Sequence, residues 1–124
     1  MILGVGIDVT SVERQRTALA RFGDRLWQRI LTPNECADLD KRPDRAVALA
    51  GRFAAKEAAA QALGGQPDVW WHDVEIRPDG RGAPQLTFLG PGRIHADRLG
   101  VRRIWVSITH DAGVAAAVVV LEGE

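Results

Sequence analysis

Apolar residues alternate with other residues at the start of the chain, which is the period of a β-strand. The alternation covers residues 2–9 and gives two faces, one with Leu3, Val5, Ile7 and Val9 and the other with Ile2, Gly4, Gly6 and Asp8. A strand is therefore predicted here. Asp8 shares its face with two positions that carry no side chain, which leaves room for a ligand or for a helix.

Helical spacing and capping residues predict five helical segments after this strand. The first begins at Thr10 or Ser11 and breaks at Gly23-Asp24, where the second begins. The third begins with the capping box Thr32-Pro33-Asn34-Glu35 and runs to about Arg42. The fourth is capped by Asp44 and ends at Leu63 before Gly64-Gly65, and the fifth covers Pro91–Leu99. The fourth segment is rich in alanine and is the long helix of the chain.

Four further strands are indicated between turn signals. Val69–Ile76 and Gln85–Leu89 flank the turn Pro78-Asp79-Gly80, and Arg103–Thr109 and Val114–Leu121 flank a tight turn at residues 110–113. Short connections of this kind favour antiparallel pairing. The predicted fold class is α+β, with an antiparallel sheet packed against the long helix and the shorter helices, in a single domain that covers residues 1–124.

Composition excludes several classes of protein. With 124 residues, of which 46% are hydrophobic and 26% are charged, the chain has the size and composition of one folded domain rather than of a disordered or coiled-coil protein. Its longest apolar run, Val114–Leu121, is far shorter than the roughly 20 residues of a membrane-spanning helix. The single Cys36 excludes an internal disulfide and a cysteine cluster. Because no basic leader precedes Asp8, we expect a cytoplasmic protein.

Charge is balanced over the whole chain but not along it. The 16 basic and 16 acidic residues cancel, which argues against a general nucleic-acid binder. Arginines are frequent near the N-terminus, and Arg14, Arg21 and Arg25 follow a seven-then-four spacing that is typical of one helical face. Such a face is either simply solvated or a docking surface for an acidic partner.

Two carboxylates have surroundings that suggest chemistry. Asp8 either caps the following helix or holds a ligand, and a dinucleotide site is excluded because Val9 occupies the third glycine position and no βαβ unit follows. Glu57 lies among small apolar residues of the long helix, so it needs a cation, a hydrogen-bond network or solvent. Arg52 and Lys56 of the same helix are either surface cations or phosphate ligands.

His110 follows a predicted strand and precedes Asp111, at a place where side chains emerge at the edge of a sheet. The intrinsic pKa of histidine, near neutrality, suits a general base, although a single histidine at a turn is commonly structural. A Ser-His-Asp hydrolase is disfavoured because the sequence has neither a nucleophile elbow nor a separate oxyanion loop.

Three segments together resemble one enzyme family. They are Gly4-Val5-Gly6-Ile7-Asp8-Val9-Thr10-Ser11-Val12-Glu13-Arg14, Arg52-Phe53-Ala54-Ala55-Lys56-Glu57-Ala58 and Val106-Ser107-Ile108-Thr109-His110-Asp111. In this order and over the whole chain, they are similar to the holo-[acyl-carrier-protein] synthases, the small class of 4'-phosphopantetheinyl transferases. The resemblance implies transfer of the 4'-phosphopantetheine arm of coenzyme A to a serine of an apo acyl carrier protein of fatty-acid or polyketide synthesis, with release of adenosine 3',5'-bisphosphate.

The resemblance also implies roles for individual residues. Asp8 and Glu57 would bind Mg²⁺, Asp111 would add a ligand or orient His110, and His110 or a metal-polarised water would deprotonate the carrier serine. Coenzyme A contacts are implied for Arg45, Arg52, Lys56, Gln61, Gly64, Gly82, Pro84, Thr109 and His110, and carrier-protein contacts for Arg14, Arg21 and Arg25. Many members of the family have a lysine where this chain has Gln61, so proton transfer assisted by that lysine is in doubt here and His110 gains weight.

The family further implies a homotrimer with coenzyme A bound between subunits. The predicted strands carry three tryptophans, Trp70, Trp71 and Trp105, and we expect these side chains in the core rather than at a subunit interface. Two other functions would use the same residues. A magnesium-dependent phosphohydrolase would break down coenzyme A without a carrier protein, and a noncatalytic module would bind coenzyme A without turnover.

Overall fold

The computed structural model, which describes residues 1–124, has five strands and five helices. The strands are β1 (Ile2–Ser11), β2 (Val74–Pro78), β3 (Pro84–Phe88), β4 (Arg103–Asp111) and β5 (Val114–Glu122). The helices are α1 (Val12–Phe22), α2 (Asp24–Ile30), α3 (Pro33–Leu39), α4 (Arg45–Ala62) and α5 (Gly90–Leu99). None of these helices has the length and apolar character needed to cross a membrane.

Two antiparallel sheets form the β part of the fold. The larger sheet has the order β1-β5-β4, so β1 and β4 are its edges, and the smaller one is the β2–β3 hairpin. β4 and β5 are joined by a turn of only two residues, Ala112 and Gly113, both with positive φ. His110 and Asp111 therefore belong to β4, whereas the sequence predicted them in the turn. The predicted α+β class with an antiparallel sheet is confirmed.

Most helix starts form as their capping residues predict. The Ser11 side chain accepts from the Arg14 backbone N–H, and the Asp44 carboxylate accepts from the Ala46 and Val47 N–H groups. The capping box of Thr32 and Glu35 is present and opens α3, which ends at Leu39 rather than near Arg42. Gly23, with φ of 58°, separates α1 from α2 as expected.

α4 lies directly on one face of the larger sheet, here called the inner face. A Cβ atom added to Gly4 would lie 2.1 Å from the Ala62 carbonyl oxygen, and one added to Gly6 would lie 1.8 Å from that of Ala58. Only glycine permits such an approach of strand and helix backbones. The apolar residues on the opposite face of β1 are consequently left exposed, Val5 to 54%, Ile7 to 65% and Val9 to 62%.

The segment predicted as a strand from Val69 is only partly one. Residues 71–73 form a 3₁₀ turn, and the strand begins at Val74. The Asp73 carboxylate accepts from the Trp70 N–H at 2.8 Å, and this local bond stabilises a turn in place of an extended chain. Trp70 and Trp105 are mainly exposed, so the expectation of core positions for them is wrong, and Trp27 of α2 is the buried tryptophan.

Candidate active site

Asp8 and Glu57 form a pair of like charges between β1 and α4. The Asp8 side chain lies on the inner face of β1, where its Oδ2 accepts from the Thr10 hydroxyl at 2.8 Å. Glu57 is partly buried on α4; burial raises the pKa of its carboxyl group, and the nearby charge of Asp8 raises it further. Neither carboxylate takes part in an ion pair with a basic side chain.

The carboxylate pair, Asp8 and Glu57, has the chemistry of a Mg²⁺ site. Mg²⁺ takes oxygen ligands and is commonly held by one or two carboxylates, with water and substrate phosphates at its other positions. A cation between the two groups would relieve the repulsion that raises the pKa of Glu57. The donor set therefore fits the magnesium ion that the family resemblance implies.

Asp111 does not join this pair. No three His, Cys, Asp or Glu side chains in the structure converge as a metal site. The Oδ1 of Asp111 accepts from the N–H of Ala112 at 2.9 Å, which stabilises the hairpin turn, and no hydrogen bond links Asp111 to His110. Within one chain Asp111 is therefore linked neither to the carboxylate pair nor to His110, and its role as a metal ligand or as a residue that orients His110 stays a prediction.

Gln61 lies one turn after Glu57 on α4 and contacts β1. Its Oε1 accepts from the backbone N–H of Ile7 at 2.8 Å. The carbonyl end of this side chain is therefore committed to the strand, and only its amide N–H groups remain for a phosphate.

Arg52 and His110 lie together at the other edge of the sheet. They line a pocket of about 310 Å³ with Arg42 and the β4 residue Ile108, here called the cationic pocket. Arg52 is only 9% exposed, and burial lowers the pKa of its guanidinium. Its Nε has no hydrogen-bond partner. A buried guanidinium with an unused donor is well suited to bind an anion such as a phosphate.

The carboxylate pair and the cationic pocket are separated by the width of the sheet. Asp8 on β1 and Ile108 on β4 are both in register with Ala117 of β5, so two strand spacings of about 4.8 Å lie between them. On α4, Arg52 and Glu57 are five residues apart, which is about 140° around the helix. One chain therefore presents two sets of candidate catalytic groups that do not meet within it.

Lys56 has a structural place rather than the predicted contact with coenzyme A. Its Nζ donates to Glu35 Oε1 at 2.6 Å, to the Trp71 carbonyl at 2.8 Å and to the Val74 carbonyl at 2.7 Å. These three bonds use all three ammonium protons, and the residue is 2% exposed. No donor of Lys56 is therefore left for a phosphate in this arrangement, and the structure does not support the predicted contact with coenzyme A.

Arg45 also lies outside both groups. Its guanidinium stacks over Trp27, 4.2 Å from the ring centroid, and contacts Asp24 at 3.2 Å. Gly64 follows the end of α4 with a positive φ, Gly82 and Pro84 lie at the β2–β3 turn, and Thr109 points to the outer face of the sheet, opposite to His110. These four residues thus lie in three different parts of the chain, after α4, at the β2–β3 hairpin and on β4.

The three arginines predicted to bind a carrier protein lie on two helices. Arg14 and Arg21 line an open groove on α1 with Phe22. Arg25 is exposed on α2, beyond the break at Gly23, so the single helical face predicted from the spacing is interrupted.

Comparison with known proteins gives the family. Residues 4–119 match the model of the 4'-phosphopantetheinyl transferase superfamily. A holo-[acyl-carrier-protein] synthase of Solidesulfovibrio magneticus is 51% identical over 99% of this chain and 100% of its own length, and one of an Anaeromyxobacter species is 48% identical over 99% and 98%.

Solved structures agree with this match. The crystal structure of holo-[acyl-carrier-protein] synthase from Neisseria meningitidis superposes with a TM-score of 0.89 at 33% identity, over 98% of this chain and 99% of that one. The Helicobacter pylori synthase in complex with coenzyme A gives 0.83 at 32% identity, over 95% and 99%. This chain belongs to the 4'-phosphopantetheinyl transferase superfamily.

Proposed function

We propose that this chain is a holo-[acyl-carrier-protein] synthase, which transfers the 4'-phosphopantetheine of coenzyme A to a serine of an apo acyl carrier protein. The observation that carries the proposal is the carboxylate pair, because the charge of Asp8 acts on Glu57 and neither group is paired with a basic side chain. The family match and the coenzyme A complex of the H. pylori relative support the nature of the substrate. Both substrates are cytoplasmic molecules, so we place the reaction in the cytoplasm.

Asp8 and Glu57 would hold Mg²⁺ through their carboxylate oxygens. When bound there, the ion would neutralise negative charge on the pyrophosphate of coenzyme A and on the leaving phosphate. Gln61, one turn after Glu57 on α4, can donate from Nε2 to a phosphate oxygen, since only its Oε1 is used by Ile7.

The cationic pocket supplies the remaining groups. Arg52, whose guanidinium takes part in no ion pair and lines this pocket, would hold a phosphate of coenzyme A. His110 accepts the proton of the carrier serine hydroxyl, whose oxygen then bonds to the phosphorus that carries pantetheine. The bond from this phosphorus to the bridging oxygen breaks, and adenosine 3',5'-bisphosphate leaves with the electron pair.

A homotrimer would bring the two groups together. The carboxylate pair and the cationic pocket lie at opposite edges of the sheet, so neighbouring subunits can place the first beside the second. The outer face of the sheet offers apolar contact area, since Val5, Ile7, Val9 and Trp105 are all mainly exposed. We therefore propose active sites between subunits of a trimer, each site completed by residues of two chains.

Arg14 and Arg21 of α1, with Arg25 on α2, would bind the acidic helix of a carrier protein. Binding of apo carrier protein should then weaken as salt rises, and the Arg14→Glu/Arg21→Glu variant should bind at least tenfold less tightly. Arg93→Glu on α5 is the matched control. Binding that is independent of ionic strength would contradict this surface.

Intact-mass spectrometry tests the function directly. Apo acyl carrier protein incubated with the chain, coenzyme A and Mg²⁺ should gain the mass of phosphopantetheine, and a chelator or Asp8→Ala should abolish the gain. Asp97→Ala, which removes an exposed carboxylate on α5, should leave it intact. Breakdown of coenzyme A without a carrier would show a phosphohydrolase, and binding without either product would show a noncatalytic module.

A further inference from the structure

The free edge of β1 passes beside the carboxylate pair. β1 is hydrogen-bonded to β5 on one side only, so alternate N–H and C=O groups of its backbone face outward. The N–H of Ile7 is one of them, and it donates to Gln61 Oε1 at 2.8 Å. This is the one hydrogen bond in which a side chain of another element reaches the backbone of β1.

The position of this bond is informative. Ile7 precedes Asp8 on the strand, and Gln61 lies one turn after Glu57 on α4. The bond therefore connects the two elements next to Asp8 on the strand and one turn from Glu57 on the helix. Gly4 and Gly6 also fix β1 against α4, but they contact the helix backbone at Ala62 and Ala58, under the inner face of the strand.

Like charges at this place oppose the packing that brings them together. The charge of Asp8 raises the pKa of Glu57, which is the signature of repulsion between the two groups. Without a lateral bond at the free edge, the strand could move away from α4 at Asp8 while the glycines upstream stayed in contact. The acceptor on Gln61 opposes that movement.

We infer that Gln61 is a positioning residue, which holds the Asp8 segment of β1 against the Glu57 turn of α4 so that both carboxylates can ligate one cation. The inference rests on the metal-binding role proposed above for Asp8 and Glu57. The required chemistry is a hydrogen-bond acceptor of the correct length, since the partner is a backbone N–H group. The amide N–H groups of Gln61 are not needed for this task.

Two substitutions separate the acceptor from the shape of the side chain. Gln61→Met keeps the length and removes the acceptor, whereas Gln61→Glu keeps both the length and an acceptor oxygen. Gln28→Met on α2 makes the same chemical change at an exposed site whose side chain has no hydrogen bond, and it controls for the substitution itself.

The test combines two readouts that do not require turnover. Amide hydrogen exchange, measured by NMR on the intact protein, reports the Ile7 bond, and Mn²⁺ titration followed by electron paramagnetic resonance reports cation binding. For Gln61→Met we expect exchange at Ile7 to accelerate at least tenfold and the Kd for Mn²⁺ to rise about tenfold, the size of effect typical of residues that orient metal ligands. Gln61→Glu should keep exchange at Ile7 slow, and Gln28→Met should change neither readout.

Several outcomes would overturn the inference. Exchange at Ile7 that is unchanged in Gln61→Met would show that the bond is unimportant in solution. Faster exchange with an unchanged Kd for Mn²⁺ would show a bond that serves the fold alone, and a wild-type chain that does not bind Mn²⁺ would remove the site itself. Thermal unfolding of each variant identifies a global loss of structure, which would accelerate exchange throughout β1 and not only at Ile7.

Failure of the proposed function has a different signature. A wild-type chain that binds Mn²⁺ with the expected dependence on Gln61, but adds no phosphopantetheine to any carrier protein, would leave the positioning role intact and remove the transferase assignment.

Discussion

Lys56 and Glu57 are neighbours in the sequence but have opposite electrostatic environments. The ammonium of Lys56 is buried and meets the carboxylate of Glu35 and two carbonyl oxygens. The carboxylate of Glu57 is partly exposed and meets a second carboxylate, that of Asp8. Adjacent positions of one helix thus face a region where charges are compensated and a region where they are not.

This difference separates a structural role from a binding role. The Glu35–Lys56 pair links α3 to α4 and links both helices to residues 71–76. Lys56 donates to two carbonyls of that segment, and Glu35 accepts from the N–H groups of Thr32 and Ile76. No charge or donor is left over, so the pair can stabilise only this one arrangement. The Asp8–Glu57 pair is an arrangement that a cation would stabilise, which is the usual property of a site prepared for a ligand.

The largest expected effect concerns the buried Glu35–Lys56 pair. Lys56→Met should lower the free energy of unfolding by about 3–5 kcal/mol, because it leaves the buried carboxylate of Glu35 without its counter-charge and removes one donor from each of the Trp71 and Val74 carbonyls. Urea unfolding measures this change. The double variant Lys56→Met/Glu35→Gln should recover part of the loss by removing the unpaired charge.

Arg77→Met provides the control for that experiment. It breaks the ion pair between Arg77 and Asp38, which lies at the surface, and should cost only a small fraction of the loss seen in Lys56→Met. Equal losses in the two variants would mean that the burial of Lys56 has no energetic consequence.

The second largest expected effect concerns the Asp8–Glu57 pair. Asp8→Asn should lower turnover at least a hundredfold, equivalent to about 2.7 kcal/mol of transition-state stabilisation, because the amide supplies no charge for the metal. The amide oxygen can still accept from the Thr10 hydroxyl, so the free energy of unfolding without metal should change by less than about 1 kcal/mol. Steady-state kinetics and urea unfolding of one preparation measure both quantities. A parallel loss of stability would make Asp8 a structural residue.

Local interactions were the part of the fold that could be predicted from the sequence. The capping box of Thr32 and Glu35, the cap at Asp44 and the break at Gly23 all involve residues within one helical turn of each other. Their geometry depends on the backbone nearby and hardly on the rest of the molecule, so the residue types are sufficient.

Long-range partners could not be predicted in the same way. Lys56 and Glu35 are 21 residues apart and meet only because α3 packs beside α4, so the sequence left Lys56 as either a surface cation or a phosphate ligand. The alternation of residues in β1 likewise did not show which of its two faces is buried, and in the structure it is the face that carries Gly4 and Gly6. Gly4 and Gly6 opposite an alanine-rich helix were the available signal, because together they permit close backbone packing.

The third prediction uses the pH dependence of cation binding. Because the pKa of Glu57 is raised, protons compete with the metal at a higher pH than they would for an ordinary carboxyl group. The Mg²⁺ concentration that gives half-maximal turnover should rise as pH falls, by up to about tenfold per unit once pH lies below that pKa. In Glu57→Asp the dependence should persist, whereas in Glu57→Gln it should flatten. An equally steep dependence in Glu57→Gln would assign the titration to another group.

The smallest expected effect is a gain in folding stability when the charge of Glu57 is removed from the Asp8–Glu57 pair. A raised pKa means that the folded chain binds the Glu57 proton more tightly than the unfolded chain, so stability declines as pH rises from about the ordinary value of 4.5 through the raised pKa. In the presence of a chelator, Glu57→Gln should therefore be more stable than the wild type at pH 8 and lose this advantage near pH 4. The gain should be less than about 1 kcal/mol, since water screens a partly exposed carboxylate. Adding Mg²⁺ should stabilise the wild type and leave the variant almost unchanged, which would reverse their order at pH 8. If the variant is less stable than the wild type in chelator at pH 8, Asp8 and Glu57 do not repel each other, and the contrast with the Glu35–Lys56 pair fails.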